Sequence, residues 1–307
     1  MTTTTSATTK KIRRSRSQRS TTASSVIAQS LQTASKRLSN TKEGELSAES
    51  LHALRIACRR AEAALRLCKD AADSPAWRWL TRNLKTLRRI CNQARDDDVL
   101  TNWLQRHSTP ASKSLRRAIA THRQDVEPQI RKIANRLCEH RRFQRRAAKL
   151  IEQLKASEVS GDIATKFGRK LFDDVHRFVK SLPIRTDDIS AWHRLRIVGK
   201  RLRYASELVT EIWPEVELTE LKEHLHSLQD RLGKIHDQFV GERRLRKYST
   251  NASSKVAQVL ARKARNSMTR LRRQFWTWWR ACPLERMLAD TTAEVLTLMT
   301  KSITADR

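Results

Sequence analysis

Apolar residues along this chain recur at steps of three and four, not two. Val26, Leu31 and Leu38 outline one helix, Leu80, Leu84, Leu87 and Cys91 a second, and Leu221, Leu225 and Leu228 a third, the period of helices that bury one stripe. Two segments show a different pattern. From Trp192, the residues His193, Arg196, Lys200, Arg203 and Glu207 share one helical face. Leu195, Leu202, Ser206 and Val209 flank it on one side and Ile197, Tyr204 and Leu208 on the other. From Leu51, the residues His52, Arg55, Arg59, Glu62 and Arg66 form the same stripe, with Leu54, Cys58, Ala61 and Leu65 opposing Ile56, Ala63 and Leu67. A surface helix has one apolar stripe and one broad polar face. A charged seam hemmed on both sides predicts a mostly buried helix whose cations line a groove or channel.

The two segments are offset by 141 positions (193 − 52), and the offset holds without a gap. Leu80, Leu84 and Leu87 fall on Leu221, Leu225 and Leu228, Arg95-Asp96 falls on His236-Asp237, and Val26, Leu31 and Leu38 fall on Phe167, Phe172 and Val179. Such a period is too long for a solenoid repeat and predicts an all-α fold of two copies of one helical unit facing each other. Ser47 with Glu49, and Asp187 with Asp188, are helix-start signals ahead of the two stripes; Pro75 and Pro214 follow them. Further helices are expected from about Ala76 to Asn92, Arg95 to Arg106, Ser112 to Leu137 with a break at Pro128, and Cys138 to Ala156. In the second copy they run from about Glu217 to Leu232, Ser253 to Trp279, and Pro283 to Thr300. On this reading Asp96 and Asp237 begin helices after a turn, where a carboxylate caps exposed N–H groups or holds a groove cation. Ser157 to Ile163 is the best linker between the halves, and residues 1–24, rich in Thr, Ser, Lys and Arg, are expected to be a disordered basic arm.

Charge narrows the choice of partner. The 307 residues carry 63 Lys and Arg against 32 Asp and Glu, a formal charge of +31, which points to a polyanion. Hydrophobic residues at 38% with eight Trp still suffice for a core. Trp276, Trp278 and Trp279 resemble a base-stacking platform, but their spread around a helix favours a role as interhelical anchors. The five cysteines have no CxxC spacing, and Cys58, Cys68 and Cys91 sit at core positions. This suits free thiols in a reducing compartment, so the cytoplasm is the expected location. No 18-residue apolar run occurs, and no membrane insertion is expected.

Arg and Lys at one-turn intervals place donors roughly 5 to 6 Å apart, a spacing that can track a chain of phosphates. A single such helix is more often a solvated face or a set of ion pairs; two copies in register favour a binding groove. His52 and His193 lie one turn from Arg55 and Arg196 and can donate to the same anion. A metal-dependent phosphohydrolase is suggested by His224, His226 and the His236-Asp237 pair, but the matching dyad is Arg95-Asp96, and Arg does not ligate metals. No Gly-rich phosphate loop, nucleophile elbow or adjacent Cys/His pair is found. Neither an enzyme nor a cofactor is therefore expected.

Four motifs in order carry a family resemblance. They are His52-Ala53-Leu54-Arg55-Ile56 with Arg60, Arg95-Asp96-Asp97-Asp98-Val99-Leu100, His193-Arg194-Leu195-Arg196 through Lys200-Arg201-Leu202-Arg203-Tyr204, and Leu228 through Leu232-Gly233 to His236-Asp237. Across roughly residues 25–300 the chain resembles the CHAD domain family, the conserved histidine α-helical domain. The resemblance implies two four-helix-bundle-like halves, about 25–156 and 164–300, related by a pseudo-twofold around a basic central channel. It further implies binding of inorganic polyphosphate without catalysis. The +31 charge and the basic arm make nucleic acid a secondary partner, and the sequence does not decide whether the protein sits on polyphosphate or other storage granules. Carried over by position, the contacts would be His52, Arg55, Arg59 and Arg60 in the first half and His193, Arg196, Lys200, Arg201 and Arg203 in the second. Two departures stand out: Glu62 occupies a basic position of the family pattern where the second half has Arg203, and Asn92 replaces the glycine that Gly233 retains.

Overall fold

The computed structural model describes residues 22–43, 46–107, 112–159, 163–182, 188–248 and 254–304. Among them are ten α-helices and no strand: α1 (Ala23–Glu43), α2 (Ala48–Leu67), α3 (Pro75–Arg106), α4 (Lys113–Cys138), α5 (Arg142–Val159), α6 (Ile163–Lys180), α7 (Ile189–Ile212), α8 (Thr219–Tyr248), α9 (Ser254–Arg280) and α10 (Leu284–Thr304). Residues 1–21 of the expected arm, Asp187 and residues 160–162 of the expected linker lie outside the described residues. Ala23 and Ser24, placed in the arm by composition, are buried at the start of α1, where Glu158 accepts from the Ser24 N–H and hydroxyl at 2.7 Å each.

Local chemistry fixes the helix starts. The Ser47 hydroxyl accepts from the Ser50 N–H at 3.2 Å, Asp188 from the Ala191 N–H at 2.9 Å, and Ser74 from the Trp77 N–H at 3.3 Å with Pro75 at the first helical position, each satisfying a donor that the helix leaves free. Two expected breaks are absent. α3 runs through Asn92–Arg95 and α8 through Gly233, so Asp96 and Asp237 lie in mid-helix and cap nothing. α4 likewise runs through Pro128. That proline faces solvent, where water can satisfy the Gln124 carbonyl it leaves unbonded.

Helices α1 to α5 pack on one another, as do α6, α7, α8 and α10, while α9 lies along α8. The first half meets the second where α2 packs on α7 and α3 on α8. In α2, Leu51, Leu54, Cys58, Ala61 and Leu65 are fully buried, and in α7 Leu195, Leu202, Ala205, Leu208 and Val209 are too. The other flank is less covered at its start, since Ile56 and Ile197 are both exposed. Cys58, Cys68 and Cys91 are buried free thiols, and loss of hydration pushes the latter two up to about 12. A second, smaller cluster of Leu100, Leu104, Leu115, Ile119, Leu245 and Leu260 ties the ends of α3 and α8 to the starts of α4 and α9.

The halves differ in how their first helix is covered. Leu31 and Leu38 of α1 are buried under α4 and α5, whereas Phe172 and Val179, 141 positions on in α6, are exposed because α9 packs along α8 instead. The tryptophans of α9 explain that choice. Trp192 of α7 meets Phe275 edge-on at 4.6 Å, His224 of α8 stacks on Trp278 at 5.0 Å, and the Arg231 guanidinium lies 4.7 Å from the Trp278 ring. They act as interhelical anchors.

Two buried aspartates join the halves. Asp97 of α3 accepts from His122 Nδ1 of α4 at 2.8 Å and from Arg244 of α8. Asp174 of α6 accepts from Arg66 of α2 at 2.7 Å. Both carboxylates are about 1% exposed, and a buried acid persists only with partners of this kind. Asp97→Ala should therefore cost about 3–5 kcal/mol, because it leaves Arg244 facing an emptied site. Asp73→Ala, at the exposed pair with Arg78, should cost below about 1 kcal/mol. Urea unfolding of both variants checks the contrast.

Candidate functional site

The stripes of α2 and α7 meet between the halves, but not as two unbroken rows of cations. Near the N-terminal ends they supply Arg55 and Arg59 from α2 and Arg196 and Lys200 from α7. These four lie close enough for Lys200 to be repelled by Arg196, Arg59 and Arg55, and Arg196 by Arg59. Asp96 of α3 and Asp237 of α8 lie beside them as the nearby acids, Asp96 attracted by Arg244 and Arg55 and Asp237 by Arg196 and Arg95. The expectation that these carboxylates hold groove cations fits this placement; the capping role does not.

Toward the C-terminal ends the stripes neutralise themselves. Arg60 pairs across the α2–α7 interface with Glu211, and Arg203 binds Glu207 at 2.9 Å with its guanidinium 4.5 Å from the Tyr204 ring. Glu62, the acid at a basic position of the pattern, accepts from Arg88 of α3 at 2.8 Å. Arg201 is exposed, and its carbonyl accepts from Arg66 at 2.9 Å. The carried-over set thus divides into a cluster of Arg55, Arg59, Arg196 and Lys200 and a self-paired region containing Arg60 and Arg203. His52 and His193 sit at the more exposed outer end.

Two further groove residues belong beside those histidines. Arg95 repels His52, and the His236 ring lies 5.4 Å from that of His193 at a 30° tilt. The 141-position match of Arg95-Asp96 to His236-Asp237 already signalled that these residues share a role.

Counter-charge falls short in the cluster, where two acids, Asp96 and Asp237, face four cations. Loss of hydration, followed by repulsion from Arg196, Arg59 and Arg55, brings Lys200 down to about 6. Loss of hydration first and neighbouring arginine second bring Arg55 and Arg196 down to about 10. His236 falls to about 3 for the same reasons, and His52 and His193 are lowered. Asp96 and Asp237 are raised by loss of hydration, against the pull of the nearby arginines. An anion entering this space would reverse the penalty on every cation there.

One pair of positions distinguishes the two groove arginines. Asn92 Oδ1 accepts from Arg55 Nε at 3.2 Å and from Nη2 at 3.0 Å. The position 141 residues on is Gly233, where a Cβ would meet nothing within 4 Å. Arg196 Nε, 141 residues on from that of Arg55, is buried without a hydrogen-bond partner, as are Arg66 Nε and Arg203 Nε outside the cluster. Asn92 and Gly233, read from sequence as two forms of a turn, instead give one groove arginine an acceptor and leave the other open.

The metal reading finds no cluster. His224 stacks on Trp278, His226 lies 3.6 Å from Asp230, and among the described residues no three His, Cys, Asp or Glu side chains are grouped to hold an ion. Nor is any helix among them long and apolar enough to cross a membrane.

The sequence signature described as the CHAD domain matches residues 25–246. The chain belongs to the CHAD domain family. Two solved structures share its fold. The CHAD domain from the plant Ricinus communis is 21% identical, with a TM-score of 0.57, over 88% of this chain and 90% of that one. PptA from Streptomyces chartreusis is 17% identical, with a TM-score of 0.60, over 84% of this chain and 98% of that one. No curated protein matches the sequence significantly.

Two outcomes follow from the geometry. Lys200 is charged below about pH 10.5 when unfolded but only below about 6 when folded, so its penalty is absent at high pH, grows as the pH falls through that window and is complete below about 6. Lys200→Met should thus stabilise the fold by an order of a few kcal/mol at pH 7 and by little at pH 10.5, measured as the difference in urea midpoint at the two pH values. Gly233→Asn should give Arg196 the acceptor that Arg55 has. It should raise stability by about 1 kcal/mol through that bond and better helix propensity, again read from urea unfolding.

Proposed function

We propose that the cation cluster between α2 and α7 binds inorganic polyphosphate and does so without catalysis. The observation that carries this reading is the under-compensated group of Arg55, Arg59, Arg196 and Lys200, drawn from both helices. A linear polyanion would supply acceptors at the spacing at which one-turn steps present the donors. Membership of the CHAD domain family supports the ligand, and the resemblance of the two stripes supports a basic channel between pseudo-twofold-related halves. A chain of phosphates threading between α2 and α7 would meet cations from both walls. The acidic residues at the C-terminal ends of the stripes would confine contact to their N-terminal parts.

Nucleic acid is the second reading, motivated by the +31 charge. Base readout needs stacking or edge-reading groups beside the cations, and the tryptophans of α9 are engaged with α7 and α8. Single-stranded DNA of matched charge should therefore fail to displace long-chain polyphosphate near physiological salt. Equal displacement would make the protein a general polyanion binder. Phosphate release on incubation with polyphosphate would overturn the non-catalytic reading.

Affinity should reside in the cluster and not in the stripes as a whole. Arg196→Ala with Lys200→Ala should weaken binding and lower the dependence of log affinity on log salt by roughly 1.4, about 0.7 for each phosphate contact to a single strand. Arg60→Ala, which removes a cation already paired with Glu211, should change the slope little. Polyphosphate titration at two salt concentrations, with helicity checked by circular dichroism, measures both.

A further inference from the structure

Beyond the outer end of the cluster, α7 and α8 enclose a cavity of about 670 Å³ that reaches His193 and His236. It adjoins a second of about 570 Å³, and the two share Ile189, Phe239 and Arg243. This mouth differs from the cluster in chemistry. Ile189, Phe239 and Val240 give it an apolar wall, while Arg194, Arg243 and Lys247 supply cations, and Ser190, Asp96 and the two imidazoles supply hydrogen-bonding groups. Inorganic polyphosphate has no apolar surface to set against such a wall.

The wall is fuller in the second half. The positions 141 residues before Ile189, Phe239 and Arg243 hold Ala48, Asp98 and Asn102, and only Val240 has an apolar counterpart, Val99. Asp98 accepts from Arg123 of α4 at 3.0 Å, and Arg123 also donates to the Leu46 carbonyl at 2.8 Å, so that end of the groove is closed by its own ion pair. One end therefore presents bare charge and the other charge with an apolar face.

We propose that this mouth binds the nucleoside end of a nucleoside polyphosphate, with the base against Phe239 and Ile189 and the phosphates running past His193 and His236 toward Arg196 and Lys200. The proposal rests on the cluster being a phosphate site. The cavity is of the size that holds small ligands, and a base stacks on aromatic faces whatever its identity. The polar groups in the wall decide between a base and an aliphatic chain. Ser190, Asp96 and His236 would lose their hydrogen bonds to water against a prenyl tail, whereas a base and ribose offer edges and hydroxyls in return.

The test compares ligands of equal phosphate number on the full chain by calorimetry. Adenosine tetraphosphate should bind roughly tenfold tighter than inorganic tetraphosphate. Phe239→Ala, which removes the ring without adding charge, and Ile189→Ser, at an exposed position, should each remove that advantage while long-chain polyphosphate affinity stays within about twofold. If adenosine tetraphosphate and inorganic tetraphosphate bind alike while long-chain polyphosphate still binds, the mouth proposal is overturned and the cluster reading stands. If geranyl diphosphate outbinds inorganic diphosphate with no nucleotide advantage, the wall serves an aliphatic ligand and the proposal is equally overturned. If no phosphate compound binds, the phosphate reading of the cluster fails first.

Discussion

Burial of the cation cluster, sharpened by repulsion within it, is the constraint to which the rest of this structure answers. Arg55, Arg59, Arg196 and Lys200 come from helices of two different halves; loss of hydration raises the cost of charge on each, and Lys200 is further repelled by the three arginines. Left to electrostatics, α2 and α7 would separate. They are held by apolar burial on both flanks and by ion pairs that cross between halves away from the cluster: Arg244 to Asp97, Arg66 to Asp174 and Arg60 to Glu211. The acids sit around the cluster and leave its centre short of them. That arrangement keeps the halves together while leaving charge unneutralised where they meet. Buried ion pairs add little net stability over a well-packed apolar pair, so their value here is in fixing how two repelling walls are placed.

The division of each stripe follows from where acids fall on the same helices. In α7 the cations Arg196 and Lys200 have no acid one turn away, whereas Arg203 has Glu207 at the next turn and Arg60 meets Glu211 from across the interface. The first of these pairs was legible in the sequence, since a spacing of four brings opposite charges together on any helix. The second was not, because it depends on how α2 crosses α7. The same limit applies to Arg123 with Asp98 and Arg88 with Glu62, which join helices whose relative placement no local pattern encodes.

Helix identity and the core were largely legible. Ser47 and Asp188 start the stripe helices where capping chemistry places them, and the residues read as apolar flanks are buried, except the exposed Ile56 and Ile197 and the half-buried Tyr204. The errors share one cause. Asn92, Gly233 and Pro128 are residues that end isolated helices, and each was read as a break; in the folded chain all three lie inside long helices. Glycine in a helix costs about 1 kcal/mol, and a proline on the solvent face loses a bond that water can replace. Packing along the whole of α3, α4 and α8 outweighs penalties of that size, as tertiary contact routinely does with propensity. The site suffered from the same error: a turn at Gly233 hid the fact that this glycine faces the same groove arginine position that Asn92 serves in the first half.

Gly233, Phe239 and His236 together show that matched spacing need not mean matched chemistry. Where the first half has Asn92, which accepts from Arg55, the cation Arg95, and Asp98, which accepts from Arg123, the second half has a glycine, a neutral imidazole and a phenyl ring. Each exchange removes a polar partner or a charge from the protein. Asp98 is taken up by its ion pair with Arg123, whereas the space beside His193 and His236 is open and partly apolar. A ligand with two identical ends would meet different surroundings at each, so the asymmetry of these walls gives the groove a direction that a symmetric pair of helices would lack.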